Sequence, residues 1–276
     1  MPPLRFGVIA DPQYAAIERH PRMERYYAKS LDKLAEAIAV FNDADLAFVV
    51  TLGDIIDRDW ESYDAVLSVY GRLRHRAVFL PGNHDFAVAP ERLAEVHRRL
   101  AMPAPWHHFA EGAIRFVVLD GNEVSLFSTP AGDPRRVRAE ERLAALKAAG
   151  AINAYIWNGG IGEAQLAWLK DVLAAAGEAG EKVIVMGHYP LCPLNEHNLW
   201  NAGQVVEVLT ASKAFRAYLC GHNHDGNYAT AAGRHFVNFR GMVDTRDTNA
   251  FAIVEIHRDR LEIKGFGREQ SRTLGF

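Results

Sequence analysis

Cysteine is scarce in this chain: only Cys192 and Cys220 occur, and neither has a close partner in sequence. That excludes a disulfide framework and fits a reducing compartment. Cys220 falls inside an apolar run and reads as core. No apolar run approaches the roughly 20 residues needed to cross a bilayer. The opening Met1-Pro2-Pro3-Leu4-Arg5 passes into a strand-like run rather than a signal peptide. These absences predict a cytoplasmic protein with no membrane partner. Charge of one sign is missing as well. With 31 Lys and Arg against 34 Asp and Glu, the net charge is only -3, which gives no case for obligate binding to nucleic acid. The basic stretch Arg135, Arg136 and Arg138 is followed by Glu140 and Glu141, and reads as a solvated helix start. No low-complexity linker divides the 276 residues, so a single domain over 1–276 is expected.

What the chain has is a recurring pattern of five polar clusters, each following an apolar run. Asp11-Pro12-Gln13 follows residues 6–10, and Gly53-Asp54 follows 47–52. Gly82-Asn83-His84-Asp85 follows 77–80, Gly187-His188 follows 183–186, and Gly221-His222-Asn223-His224 follows 217–220. Such runs read as strands of a sheet covered on both faces. Each cluster then sits where a strand stops, at the carboxyl edge where open α/β sheets bind ligands. Helical spacing appears over 22–41, around 64–73 and over 90–100, where Pro90 suits a first turn. A strand at 114–119 ends at Asp120-Gly121-Asn122. The segment from about 123 to 163 breaks the rhythm with Pro130, Gly132, Pro134, a charged Ala-rich helix and Asn158-Gly159-Gly160. It is expected to be an insertion lying over the sheet edge. A helix over 163–176 follows. Alternating strands near 234–240, 250–257 and 260–266 predict antiparallel closure of a second sheet. The whole predicts a two-sheet α/β sandwich with helices outside.

The clusters carry the donor types of a two-metal hydrolase, which holds two cations roughly 3.5–4 Å apart, usually with a bridging carboxylate. Asp11, Gln13, Asp54 and His224 can surround one ion. Asp54, Asn83, His188 and His222 can surround the other, with Asp54 as the bridge. Two divalent charges would lower the pKa of a bridging water enough to supply hydroxide near neutral pH. His84, beside Asn83, would donate a hydrogen bond or proton to a phosphate or leaving oxygen. Asp85 could orient the His84 ring. For both His222 and His224 to serve adjacent metals a bend is needed, and the Gly221 that precedes them permits it. His75, His97, His107, His108, His235 and His257 read as surface or satisfied core. His197 stands apart in a polar stretch with Asn195, Asn198 and Asn201.

In order and spacing the five motifs resemble the signature of the calcineurin-like metallophosphoesterases. The resemblance implies a four-layer α/β/β/α sandwich with a dinuclear centre on the ligands named above. The family's first motif usually reads Asp-x-His, where this chain has Gln13. An amide oxygen is a harder and weaker ligand than imidazole, so the first site should be looser and favour Mn2+ over softer or redox metals; Fe, Zn and Mg are the other ions considered. A narrower resemblance rests on Gly7-Val8-Ile9-Ala10-Asp11-x-Gln13-Tyr14, Leu52-Gly53-Asp54-Ile55-Ile56-Asp57, Asn158-Gly159-Gly160-Ile161-x-x-x-Gln165-Leu166-x-Trp168-Leu169 and Gly221-His222-x-His224-Asp225-Gly226-x-Tyr228. These are similar to the manganese-dependent ADP-ribose/CDP-alcohol diphosphatase group. That resemblance implies hydrolysis of the pyrophosphate bond of a small nucleotide substrate, releasing AMP or CMP with a phosphorylated alcohol or sugar. The loop between Tyr14 and Tyr26 is shorter here than in animal members, and Asp85 stands where they often have Glu.

A nucleoside is usually held by aromatic stacking and amide hydrogen bonds. Tyr14, Asn158, His197, Trp200 and Tyr228 are the candidates on the edge loops, with loop packing as the competing role for Trp200 and Tyr228. Two other functions share the motifs. A phosphomonoesterase or cyclic-nucleotide phosphodiesterase would use the same centre, because function resides in the site and not the architecture. A non-catalytic scaffold of the same fold is expected to have lost ligands or the catalytic histidine, yet His84 and the ligand set are present.

Overall fold

Among the described residues, 3–276, the computed structural model forms two six-stranded sheets. The first has the order β12-β11-β10-β1-β2-β3. Its strands are β1 (Leu4–Ile9), β2 (Phe48–Leu52), β3 (Arg76–Leu80), β10 (Ala250–Ile256), β11 (Arg260–Gly267) and β12 (Arg272–Gly275). The second has the order β4-β5-β6-β7-β9-β8. It is built from β4 (His107–Glu111), β5 (Ile114–Val118), β6 (Lys182–Met186), β7 (Phe215–Cys220), β8 (Asn227–Ala231) and β9 (Arg234–Asn238). β1, β2 and β3 run parallel, with Val8 beside Val50 and Val50 beside Val78. β5, β6 and β7 run parallel too, with Val118 beside Met186 and Met186 beside Leu219.

Alternation within these strands produces the layers. Phe6, Val8, Phe48, Val50, Leu52 and Leu80 point between the sheets and meet Phe116, Val118, Ile184, Met186, Ala217 and Leu219 of the other sheet. Phe6 stacks on Phe48 with ring centroids 4.9 Å apart, and Phe116 meets both rings edge-on. The intervening residues point outward. Ile9, Val49 and Phe79 are covered by α1 (Ser30–Asn42) and α2 (Ser62–Tyr70), through Leu34, Ile38, Phe41, Tyr63 and Val66. Val117, Val183 and Val185 are covered by α5 (Glu163–Glu178) and α6 (Ala202–Ala211), through Leu169, Val172, Val205 and Leu209. Each large side chain so buried contributes about 1.5–3 kcal/mol. The result is a four-layer α/β/β/α sandwich. Its central strands, such as β2 and β6, read as apolar runs because both faces are covered, whereas the edge strands β4 and β8 are half-exposed.

Three expectations are corrected. The last strands close the first sheet, not the second: β10 pairs antiparallel with β1, placing Phe6 beside Val254, and β11 pairs with β10. β9 does belong to the second sheet, where it runs antiparallel to β8 at the edge and parallel to β7 on its other side. Alternation fixes which face a strand buries and says nothing about its neighbour. Helical spacing over 22–41 gives a helix only from Ser30, after a 3-10 turn at Tyr27–Lys29. Residues 90–100 form a 3-10 stretch, Pro90–Glu95, before the short α3 (Val96–Arg99).

The segment that breaks the rhythm contains α4 (Pro134–Ala148), capped by the Asp133 carboxylate accepting from Arg135 N. Its two ends meet: Val124 N donates to Gly160 O and Gly160 N to Val124 O, at 3.0 and 2.9 Å. Val124, Ala139, Leu143 and Trp200 make a small core of their own beneath it. Among the described residues no helix is long and apolar enough to cross a membrane.

Candidate metal centre

Parallel strands end on the same edge, so the clusters after β1, β2, β3, β6 and β7 are delivered to one place where the two sheets meet. The chain turns sharply there. Asp11, Gln13, Asp54 and His222 have φ of 50°, 42°, 50° and 69°, the left-handed region that costs an L-residue with a Cβ roughly 1–2 kcal/mol. Four such residues together mark stored strain at a functional site. All four are buried.

Two groups of side chains could each hold a cation: Asp11, Asp54 and His224, and Asp54, His188 and His222. They share Asp54, as a bridging carboxylate requires. In the first group His224 Nδ1 lies 3.0 Å from Asp244 Oδ1, which turns Nε2 toward Asp11 Oδ1 at 3.8 Å. Gln13 joins it. Its Nε2 donates to Asp54 Oδ2 at 3.1 Å, and its Oε1 is buried without any partner. In the second group His188 Nδ1 is 2.8 Å from Leu52 O and must donate. In the neutral ring the Nε2 lone pair then faces Asp54 Oδ2 at 3.4 Å, with Asn83 Oδ1 at 3.3 Å. Acceptors facing acceptors in a buried site call for a positive charge among them. The donor set fits divalent ions of the harder kind: carboxylate, amide and imidazole, with no thiol.

The electrostatics agree. Burial pushes the Asp11 carboxyl up to about 6, against the pull of His224 and His188. Burial acts on Asp54 in the same direction, but His188 and His84 hold it well below the usual carboxylate range. Burial works to lower His188, and the Asp54 and Asp11 carboxylates outweigh it, raising the imidazole to about 9.

His84 stands beside this pair with its backbone N donating to Asp54 Oδ1 at 2.8 Å. Asp85 does not orient it. The Asp85 carboxylate turns away to accept from Gly82 N at 2.8 Å, Ile55 N at 3.1 Å and Tyr63 Oη at 2.9 Å, so it ties the β3 loop to the β2 loop. The ring is held by Asp57, whose Oδ1 and backbone O both lie 3.1 Å from His84 Nδ1. Burial would lower the His84 pKa, but Asp54 and Asp57 raise it.

A cavity of about 470 Å³ opens over the centre, lined by Arg25, His197, His222, His224, Asp244 and Arg268 among others. Of the five nucleoside candidates only His197 lines it. Tyr14 bridges to Ile56 and packs at the margin of the core. Trp200 is 4% exposed, packs under α4 and donates Nε1 to Tyr155 O at 3.1 Å. Tyr228 lies on β8 with its hydroxyl 2.9 Å from His235 Nδ1. Asn158 is fully buried and bonded within the protein, its Oδ1 3.0 Å from His222 Nε2. Packing and hydrogen bonds claim Trp200 and Asn158, which composition alone does not reveal, whereas Tyr14 is half-buried and Tyr228 exposed.

Asp57, Asp244 and Arg25 were missed. Asp57 was visible three residues after Asp54. Asp244 and Arg25 come from irregular loops that offer no local signal, and meet at 3.9 Å. Lys33 pins the Asp244 loop by donating to Met242 O and Asp244 O at 2.9 and 2.8 Å, and burial pulls its pKa down to about 8. A third group, Glu255, His257 and Glu262, is half-exposed and already paired with Arg5 and Arg260; it is a surface charge network.

Residues 4–226 match the model of the calcineurin-like phosphoesterase family. A manganese-dependent ADP-ribose/CDP-alcohol diphosphatase from Homo sapiens is 28% identical, covering 98% of this chain and 92% of the relative. One of the same name from Arabidopsis thaliana is 30% identical over 98% of this chain and 96% of its own length. A dimetal phosphatase from Danio rerio superposes with a TM-score of 0.90 at 26% identity, covering 100% of both chains.

Proposed function

Because the chain belongs to the calcineurin-like phosphoesterase family, we infer that it is a Mn2+-dependent hydrolase of the pyrophosphate bond in nucleotide diphosphate compounds, ADP-ribose and CDP-alcohols being its substrate class. The observation that carries the chemistry is the pair of ligand groups sharing buried Asp54. The substrate class rests on relatives of that activity matched along nearly their whole length.

In this reading Asp11, Gln13, Asp54 and His224 hold one ion, and Asp54, Asn83, His188 and His222 the other. Divalent ions there supply Lewis acidity, lowering the pKa of water and offsetting phosphate charge. The remaining steps fall to the chain itself. His84, held at Nδ1 by Asp57, presents Nε2 to a phosphate or leaving oxygen and gives it a hydrogen bond or proton. Arg25 and Arg268 on the cavity wall suit the charge of a second phosphate. The whole chain acts as one catalytic domain. With both cysteines free, it suits the cytoplasm.

A hydrolysis panel tests this: ADP-ribose, CDP-choline, cAMP and a nucleoside monophosphate, each with Mn2+ and with EDTA. AMP and CMP should appear fastest from the two diphosphates, only with metal, and Asp54→Ala should abolish both. Faster turnover of cAMP or the monophosphate would move the protein to another branch of the family. No turnover of any substrate by the metal-loaded protein would favour a scaffold.

A further inference from the structure

We propose that Asn158 is a positioning residue of the metal centre, fixing the tautomer and direction of His222, so that the inserted segment is a working part of the ion site. The inference rests on the two-ion reading given above.

Both hydrogens of the Asn158 amide nitrogen are committed, to Asn153 O at 3.0 Å and Glu196 O at 2.7 Å. Flipping the amide would set its oxygen against two carbonyl oxygens, so the orientation is forced. Oδ1 therefore faces His222 Nε2, 3.0 Å away. An amide oxygen only accepts, which requires Nε2 to carry the imidazole hydrogen. The lone pair of a neutral His222 is then on Nδ1, and Nδ1 lies 3.1 Å from His188 Nε2. In a neutral His188, the form a metal ligand requires, that atom is a lone pair as well, because His188 Nδ1 donates to Leu52 O. Two nitrogen lone pairs and the Asp54 carboxylate thus aim at one point, the arrangement a cation resolves. With the other tautomer, a hydrogen on Nδ1 would occupy that point instead.

Asn158 is well placed to hold this choice because it cannot move. It is fully buried, and its loop is tied down on both sides. Asn153 Nδ2 donates to Leu199 O at 2.8 Å, and Trp200 N donates to Gly159 O at 2.7 Å. A hydrogen-bond partner on the far ring nitrogen typically raises the basicity of a ligating histidine and fixes its direction, and losing one usually costs 10–100-fold in metal affinity. The residue comes from the excursion that begins and ends at the Val124–Gly160 bridge, outside the strands that bring the ligands themselves.

Two measurements on the full chain test the assignment. In metal-free protein, long-range 1H–15N correlation of the histidine rings should show His222 protonated at Nε2, and Asn158→Leu should change that pattern. In Mn2+ titration calorimetry, Asn158→Leu should weaken one of two sites about 10–100-fold and leave the other. Asn153→Ala loosens the same loop while keeping the Asn158 amide; it should lower Tm and weaken the same Mn2+ site by less than Asn158→Leu does. A wild-type His222 protonated at Nδ1 would overturn the proposal, and this spectrum decides even if Asn158→Leu fails to fold. A folded Asn158→Leu that binds two Mn2+ as tightly as wild type would also overturn it. Wild type that binds two Mn2+ but hydrolyses no diphosphate would refute the proposed activity and leave the role of Asn158 standing.

Discussion

Gly241 lies against the face of His224, and Gly241→Ala is a test of space alone because the backbone there is not left-handed. A Cβ at this position would stand 2.6 Å from both Cγ and Nδ1 of His224 and 3.1 Å from its Cβ. Ordinary contact begins near 3.4 Å, so the ring must retreat by about 0.8 Å to relieve the overlap. Ligand distances tolerate only about 0.2 Å. The retreat also disturbs the 3.0 Å contact of Nδ1 with Asp244. Overpacking of this kind costs about 1–3 kcal/mol, which corresponds to about 5- to 150-fold in affinity. His224 belongs to only one ligand group, so the loss should fall on one ion. Mn2+ titration of metal-free protein should show two sites in wild type, and in the variant one unchanged site and one weakened by that factor. Melting in EDTA checks that the variant folds. A folded Gly241→Ala with two wild-type sites would refute the placement of His224 as a ligand.

Other perturbations probe the parts around the centre. In Asp57→Asn, His84 loses a carboxylate that raises its pKa. Activity needs His84 protonated and falls as pH rises through its pKa, so the alkaline limb of kcat/KM should move to lower pH; an unmoved limb would remove Asp57 from the account. Trp200→Ala empties the small core beneath α4 and should cost about 3–5 kcal/mol in urea unfolding. A change below 1 kcal/mol would mean that the insertion is not anchored there. Saturating the centre with Mn2+ at a hundred times its Kd should stabilise the fold by about 2.7 kcal/mol per ion. An equal Tm in EDTA and in Mn2+ would count against tight binding to the folded state.

The sequence made the architecture legible where each residue announces two things at once. Val8 and Ile9, or Val117 and Val118, are apolar on successive positions, which requires cover on both faces, and each such run ends in a group able to hold a metal. The partner of a strand carries no such mark: β10 is an apolar run buried on both faces, yet nothing in Ala250–Ile256 says that it lies against β1. The site divides the same way. Residues at strand ends are predictable because topology delivers them. Residues that hold those ligands from irregular loops are not, and Asp244 and Arg25 became visible only through distance. Asp85 and Asn158 show the opposite error. Both sit in telling motifs, but buried hydrogen-bond partners claim Asp85 for the β2 loop and Asn158 for His222. A motif names a residue as important without saying what it touches.

Everything proposed for this site depends on the five strand ends holding two ions bridged by Asp54. Anomalous diffraction at the manganese edge, from crystals equilibrated with Mn2+, measures it directly. Two peaks should appear roughly 3.5–4 Å apart, with Asp54 reaching both, Gln13 and His224 on one, and His188 and His222 on the other. A single peak, or two with Asp54 bound to only one of them, would contradict it.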